Sequence, residues 1–369
     1  MREEGQTPGF QRLGRTPSQL FWRRLRRNRA AIAGLYVLGL LYASALFAGF
    51  LAPYSYDDAM TELSFHPPML TAIRLFDEQG RFSRPFVYGT TQTDPQLATY
   101  QVDTSRKYPL RFFVRGDGYH ILWIIKSNIH LFGVDNPGRI FLFGADKFGQ
   151  DTFSRILYGG QISLSIGVVG IIISTFIGLL IGGAAGYFGG VVDFISMRSV
   201  EVLLALPGIY FILILRQVFG TGLSSIQIYI IIVIILAFID WATEARVIRG
   251  MVLSLKENDY VVAARALGFS HWRIIARHIL PNTLSFVIVT ATLSVPFYIL
   301  GEVALSFLGV GIQEPEASWG NMLTAAQNPR TLRDFPWMLT PGVFIFIAVM
   351  AWNFLGDGLR DAADPRTLS

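Results

Sequence analysis

Few residues in this chain are placed to do chemistry. None of its four lysines, Lys107, Lys126, Lys147 and Lys256, follows a glycine, so it lacks the loop that cradles nucleotide phosphates, which needs lysine directly between Gly and Ser or Thr. The five histidines, His66, His120, His130, His271 and His278, form no pair at ligand spacing on a helix, and the sequence has no cysteine. Neither His-Glu-x-x-His nor Gly-x-Ser-x-Gly occurs, and no catalytic residue, cofactor or metal site is expected. What stands out is charge in apolar surroundings. Glu302 and Arg216 fall inside long hydrophobic runs, where ionisable residues are functional candidates by default. One reading lines a path through the membrane with Glu302, whose carboxylate would attract a cationic group. The other pairs it with Arg216, and is favoured because buried charges are normally paired. Asp240 and Glu201 lie close to the ends of their runs and are expected to be solvated or to cap a helix. The remaining candidate is a basic stretch, "DYVVAARALGFSHWRIIARHILPN" at 259–282, set between two apolar segments.

The elements that must position these residues follow from composition. The chain is 52% hydrophobic and only 15% charged, where a soluble domain carries roughly a quarter of its residues charged. Six segments reach the roughly 17–25 mostly apolar residues that cross a hydrocarbon core of about 30 Å: 30–51, 160–187, 199–219, 226–243, 283–311 and 339–355. Pro207-Gly208 interrupts the third, which a span tolerates where neighbouring helices satisfy the freed carbonyl. The first run is too long for the apolar core of about 7–15 residues in a cleaved signal, and reads as an uncleaved span.

Eight arginines in the first 29 residues account for much of the net charge of +5. With that tail inside, the short loops holding Arg246, Arg249, Lys256, Arg265, Arg273 and Arg277 also fall inside, while 220–225 carries no charge. The positive-inside bias therefore puts both termini and the 259–282 stretch in the cytoplasm. It makes the charge a matter of topology rather than of nucleic-acid binding. The expected divisions are a basic tail at 1–29, a first transmembrane helix at 30–51, an extracytoplasmic insertion at 52–158, a five-helix core at 159–360 and a cytoplasmic tail at 361–369.

The insertion reads as a small β-rich domain. "IRLFDEQGRFSRPFVYG" and "YPLRFFVRGDGYHILW" each place aromatic residues on both sides of a glycine-containing turn, the usual signal of a hairpin. Arg115-Gly116-Asp117 is read as part of such a turn. In the 259–282 stretch, Val261 to Leu267 offers a compact surface of small residues, Gly268 ends or bends the helix, and a second segment runs from an N-cap at Ser270 to Leu280, before Pro281. Two short helices with a glycine joint make a knob that another protein could grip, with arginines to pair with acidic groups.

That stretch resembles the coupling loop of the inner-membrane permeases of ATP-binding-cassette importers, with Ala263, Ala264, Gly268, Leu280 and Pro281 at the matching positions of a loop spanning 255–282. Val262 replaces the pattern's glutamate and His278 its isoleucine. "FGADKFGQDTFSRILYGGQISL" at 143–164, "SFLGVG" at 306–311, "SWGNML" at 318–323 and "GDGLRDAADPR" at 356–366 are similar to the dipeptide/oligopeptide branch, and specifically to its second permease subunit. The resemblance covers about 20–51 and 143–366 and is silent over 52–142. It implies an all-α polytopic membrane protein with six transmembrane helices of the importer permease type, in the cell inner membrane, carrying the β-rich extracytoplasmic insertion. The implied partners are a homologous permease, two ATPase subunits that clasp the loop at Ala263, Ala264, Arg265, Gly268, Leu280 and Pro281, an extracytoplasmic substrate-binding protein, and membrane lipid. The implied cargo is peptide. Nickel, glutathione or oligosaccharide remain alternative cargoes, and a six-span channel or secondary transporter is the rival reading.

Overall fold

The computed structural model describes residues 17–76, 82–94, 97–121, 124–205, 210, 214 and 223–363. An amphipathic helix α1 (Pro17–Arg27) leads into α2 (Arg29–Leu46). Asn28 separates them, its side chain accepting from the Ala31 amide at 3.1 Å. The expected first span is broken near its end, because helical geometry lapses at Phe47 before the short α3 (Ala48–Leu51). There Gly49 lies directly against the Tyr119 ring.

Five strands follow in the insertion: β1 (Arg74–Phe76), β2 (Phe82–Asp94), β3 (Thr99–Pro109), β4 (Arg111–Ile121) and β5 (Ile125–Gly133). The first three make one antiparallel sheet and the last two another. The first expected hairpin is present as β1–β2, with its turn outside the described residues. The second is displaced. Arg115-Gly116-Asp117-Gly118 is not a turn but lies within β4, whose pairing with β5 shifts register between Arg115 and Tyr119. The extra residues form a bulge there. It is held by His130 of β5, whose Nε2 meets the Asp117 carbonyl at 3.0 Å while Nδ1 meets the Ala52 carbonyl at 2.6 Å.

The remaining long helices are α4 (Thr152–Phe188), α5 (Gly190–Ala205), α6 (Ser225–Leu255), α8 (His271–Phe307) and α11 (Thr340–Ala363), with the short α7 (Asp259–Ala266), α9 (Trp319–Met322) and α10 (Pro329–Asp334) between them. Among the described residues five helices are long and apolar enough to cross a membrane: α2, α4, α6, α8 and α11, the last counted from Pro336. The expected third span at 199–219 is described only to Ala205, as the end of α5, and at two isolated positions; Pro207, Gly208 and Arg216 lie outside the described residues.

The core lies where these helices meet. Leu41 of α2, Leu164, Ile166 and Ile171 of α4, Ile232 and Leu236 of α6, Val295, Tyr298 and Ile299 of α8, and Ala348 of α11 form one buried cluster around Trp319. Helices α4 and α6 approach closely. A methyl group at Gly178 would lie 2.9 Å from Glu244 Cβ, at Gly182 2.5 Å from the Ala245 carbonyl, and at Gly186 2.8 Å from the Arg249 carbonyl. Glycines four residues apart thus form a groove along α4 that receives the α6 backbone, the small-residue packing that replaces hydrophobic driving force between helices in lipid. At the end of α6, the Arg249 guanidinium forks onto Asp193 of α5 at 2.7 and 2.5 Å and holds that carboxyl below its ordinary range.

Candidate functional site

The basic stretch is a built object rather than a loose loop. Helix α7 ends in a complete glycine cap: Gly268 adopts φ +77°, its amide donates to the Arg265 carbonyl at 3.0 Å, and the Phe269 amide reaches back to the Ala264 carbonyl at 3.2 Å. These two bonds define the Schellman arrangement, in which glycine is favoured because a Cβ is strained at positive φ. Nothing lies within 4 Å of a methyl group placed on Gly268. Conformation alone therefore requires the glycine.

The next helix differs from expectation. It does not stop before Pro281; α8 runs from His271 through the proline into the membrane-length segment. A single π-helical turn, Ile275–Ile279, precedes the proline. Proline lacks an N–H and its ring crowds the carbonyl four residues back, which disfavours a regular turn before it. Widening the turn accommodates the ring, and the Asn282 side chain donates to the His278 carbonyl at 2.7 Å.

The knob is fixed to the ends of α4 and α6. Val261 and Ala264 are buried with Tyr187 of α4, Ile248 and Val252 of α6, and Ile274, Ile275 and Ile279 of α8. The Tyr187 hydroxyl meets His271 Nδ1 at 3.0 Å, and the Arg265 guanidinium lies over the Tyr187 ring at 5.6 Å. Ala263 and Pro281 are exposed and Leu280 is half-buried. Val262, Leu267 and Trp272 turn outward, 50%, 74% and 60% exposed. The six residues expected to couple are thus gathered around one knob, beside apolar side chains that the described residues leave uncovered.

Glu302 is elsewhere, fully buried in α8. Its carboxyl accepts from Ser163 of α4 at 2.8 Å and from Ser306 one turn along at 2.7 Å. Those hydroxyls in turn accept from the Trp319 amide at 3.1 Å and the Ile312 amide at 3.0 Å. The two glycine-containing motifs at 306–311 and 318–323 wrap this carboxyl, and a methyl group on Gly320 would press on Val303 and Ser306 at 2.8 Å. Its expected partner Arg216 lies outside the described residues.

The motif before α4 builds a third centre. Asp146 accepts from the Phe148 and Gln150 amides at 2.8 and 3.0 Å, and Asp151 caps α4 by accepting from the Ser154 amide and hydroxyl. Burial pushes the Asp151 carboxyl up to about 7 despite those bonds, and raises that of Asp146 although Arg155 opposes it. The Arg155 side chain, almost wholly buried, joins Asp146 and Gln150 to Glu314, reaching both oxygens of the latter at 2.9 and 2.8 Å.

Asp240 departs from the expectation of a solvated or capping group. Asp240 Oδ2 accepts from Ser174 of α4 at 3.2 Å and Tyr298 of α8 at 3.0 Å. Glu244, one turn along α6, was not singled out from the sequence. The signal was an i, i+4 acid pair inside an apolar run, the spacing that puts both side chains on one face.

Residues 152–369 match the family described as binding-protein-dependent transport system inner membrane component, and residues 16–68 match the N-terminal TM domain of oligopeptide transport permease C. A putative peptide permease protein of Brucella ovis is 44% identical over 249 residues, 66% of this chain and 80% of that one. A dipeptide transport system permease protein of Bacillus subtilis is 34% identical over 94% of this chain and 84% of its own. A glutathione transport system permease protein of Pectobacterium atrosepticum is 33% identical over 96% and 93%. Spans of that extent take in most of 52–142, where the sequence resemblance was silent.

Proposed function

The chain belongs to the family of inner membrane components of binding-protein-dependent transport systems, and from that membership we propose that it is the second permease subunit of an ATP-driven peptide importer. In this reading six transmembrane helices form half of a translocation path whose other half is a homologous permease. Both termini and the knob face the cytoplasm, the insertion at 52–158 faces outward, and a substrate-binding protein delivers cargo from that side. Peptide is favoured over nickel or oligosaccharide by the peptide and dipeptide permeases among the relatives; the glutathione permease keeps a modified tripeptide within the same class.

One observation supports the coupling role: the knob exposes large apolar side chains outward and is anchored inside. Val262, Leu267 and Trp272 offer surface to a partner, while Val261 and Ala264 lock the same two short helices onto α4, α6 and α8. ATPases that close on ATP would draw this surface and its counterpart together, and the attached helices would rock as rigid bodies. The sequence contains no phosphate loop of the Gly-Lys-Ser/Thr type, in keeping with partners that supply the energy in this reading.

The test is recovery of the solubilised chain from its native membrane, identifying what accompanies it. Two ATP-binding-cassette subunits and a homologous permease are expected. An intact, folded chain recovered alone would overturn the reading in favour of a channel or secondary transporter.

A further inference from the structure

Asp240 and Glu244 stand about 22 and 28 Å along α6 at 1.5 Å per residue, midway through a helix of 31 residues that is long enough to cross a membrane. They line one face of an open cavity of about 250 Å³ between α6 and α8, together with Thr243, Phe286, Thr290 and Ser294. Their hydrogen bonding is incomplete in a consistent way. Ser174 and Tyr298 both donate to Oδ2 of Asp240, and Oδ1 has no donor among the described residues. Thr175 donates to Oε1 of Glu244 at 3.1 Å, while Oε2 is buried with no partner, in a residue only 8% exposed. Among the described residues, neither carboxyl stands in an ion pair with any lysine, arginine or histidine.

Such a pair is costly to keep without a purpose. Carboxylates inside a span are normally matched by a cation, and like charges at i, i+4 on a helix repel. The protein nonetheless makes room for them. Gly178 leaves space where a methyl group would lie 3.2 Å from Glu244 Oε2, and Gly170 accepts the Tyr298 ring that delivers its hydroxyl to Asp240. Helices α4, α6 and α8 therefore hold the two acids in place while leaving one oxygen of each undonated.

We propose that Asp240 and Glu244 form a cation station on the translocation path, which binds the protonated amine of a peptide in transit through the α6–α8 cavity. A primary ammonium has three N–H donors and no acceptor, matching acids that each keep one oxygen undonated among the described residues. The hydroxyls of Thr243, Thr290 and Ser294 offer further acceptors, and Phe286 a ring face for cation–π attraction. The station rests on the importer reading, but its electrostatic part is measurable without cargo.

The chain has no cysteine, so Ser294→Cys places a unique thiol in the cavity wall of this subunit. In the assembled transporter, its rate of modification by a thiol reagent carrying an ammonium group is compared with that by a sulfonate reagent of similar size, reading the labelled subunit by mass. The ammonium reagent should be preferred at least about tenfold over the same ratio in an Asp240→Asn, Glu244→Gln background, a factor within the range for charges about 4 Å apart between water and protein interior. Uptake of a free-amine peptide and its N-acetylated counterpart is then measured. The double variant should lose uptake of the free amine by about tenfold while leaving the acetylated peptide unchanged. An unaltered labelling ratio overturns the station. So does equal loss of both peptides, which marks a structural role, or unchanged uptake of both. A transporter that carries no peptide yet keeps the labelling preference refutes the peptide reading and leaves the cation preference standing.

Discussion

Replacing Gly268 by valine tests whether the knob works through its shape. The glycine sits at φ +77°, where an L-residue costs about 1–2 kcal/mol, more with a branched Cβ. If the chain escapes by leaving that conformation, it forfeits the Gly268–Arg265 and Phe269–Ala264 bonds, each worth about 1 kcal/mol net. Either route penalises the native knob by about 2 kcal/mol, roughly 30-fold in its population relative to a displaced one. The spans are untouched, so the subunit should still reach the membrane at normal levels. Reconstituted with its partners, Gly268→Val should hydrolyse ATP with little peptide uptake. Gly268→Asn, which tolerates positive φ, should lie between valine and wild type. Because there is open space around the position, bulk alone predicts no such ordering. Normal uptake per ATP in the valine variant would refute the argument, and asparagine as damaging as valine would remove strain as its cause.

Three further outcomes are expected. Glu302→Leu strands the Ser163 and Ser306 hydroxyls, and at about 1 kcal/mol per bond should lower the thermal midpoint of the solubilised protein, with Glu302→Gln intermediate; an unchanged midpoint would show that the carboxyl ties nothing together. Gly182→Leu should force α4 from α6 and deplete the folded protein, whereas Gly39→Leu, with open space around it, should not; equal yields would refute the groove. Burial lowers His66 from 6.5 to about 4, so protons bind the unfolded form first, and its stabilising contribution is complete above about pH 6.5 and falls as pH drops toward 4, by about 3 kcal/mol in all. Amide exchange in β2, corrected for its intrinsic pH dependence, should quicken over that window and do so less in His66→Gln; identical pH dependence in both would refute it.

Four of the six expected spans were legible as helices because lipid imposes length and apolarity on a single segment, and α4, α6, α8 and α11 begin or end within about a dozen residues of their expected limits. Gly268 was legible for a similar reason, since a helix cap is local. What escaped depended on residues far away in sequence. The Arg115–Gly118 segment has every local mark of a turn, yet His130 and the partner strand turn it into a bulge. Pro281 reads locally as a helix boundary, but the helix absorbs it with a π turn. Glu302 invited an arginine, whereas serines from positions 163 and 306 supply its described donors. Asp240 lay near the end of an expected span only because α6 continues to Leu255, twelve residues beyond the apolar run.

That continuation bears on how coupling could travel. Helix α4 is 37 residues long, about 55 Å, well beyond the roughly 30 Å of a hydrocarbon core. One end carries the Asp151 cap beside the buried Arg155 cluster, its middle places Ser174, Thr175 and Gly178 against the acid pair of α6, and its other end packs Tyr187 into the knob. Helix α6 follows it along the glycine groove and ends in the same knob. A hinge in either helix would dissipate a pull, and neither contains a proline within its bounds. A displacement of Val261 and Ala264 must therefore move the two helices together, because their backbones are too close at Gly182 and Gly186 to slide past one another without clash. The acids travel with that pair of helices, and the same displacement reaches α8, whose Tyr298 donates to Asp240 at 3.0 Å and packs on Gly170 of α4, and whose Ile274, Ile275 and Ile279 pack with Val261 and Ala264.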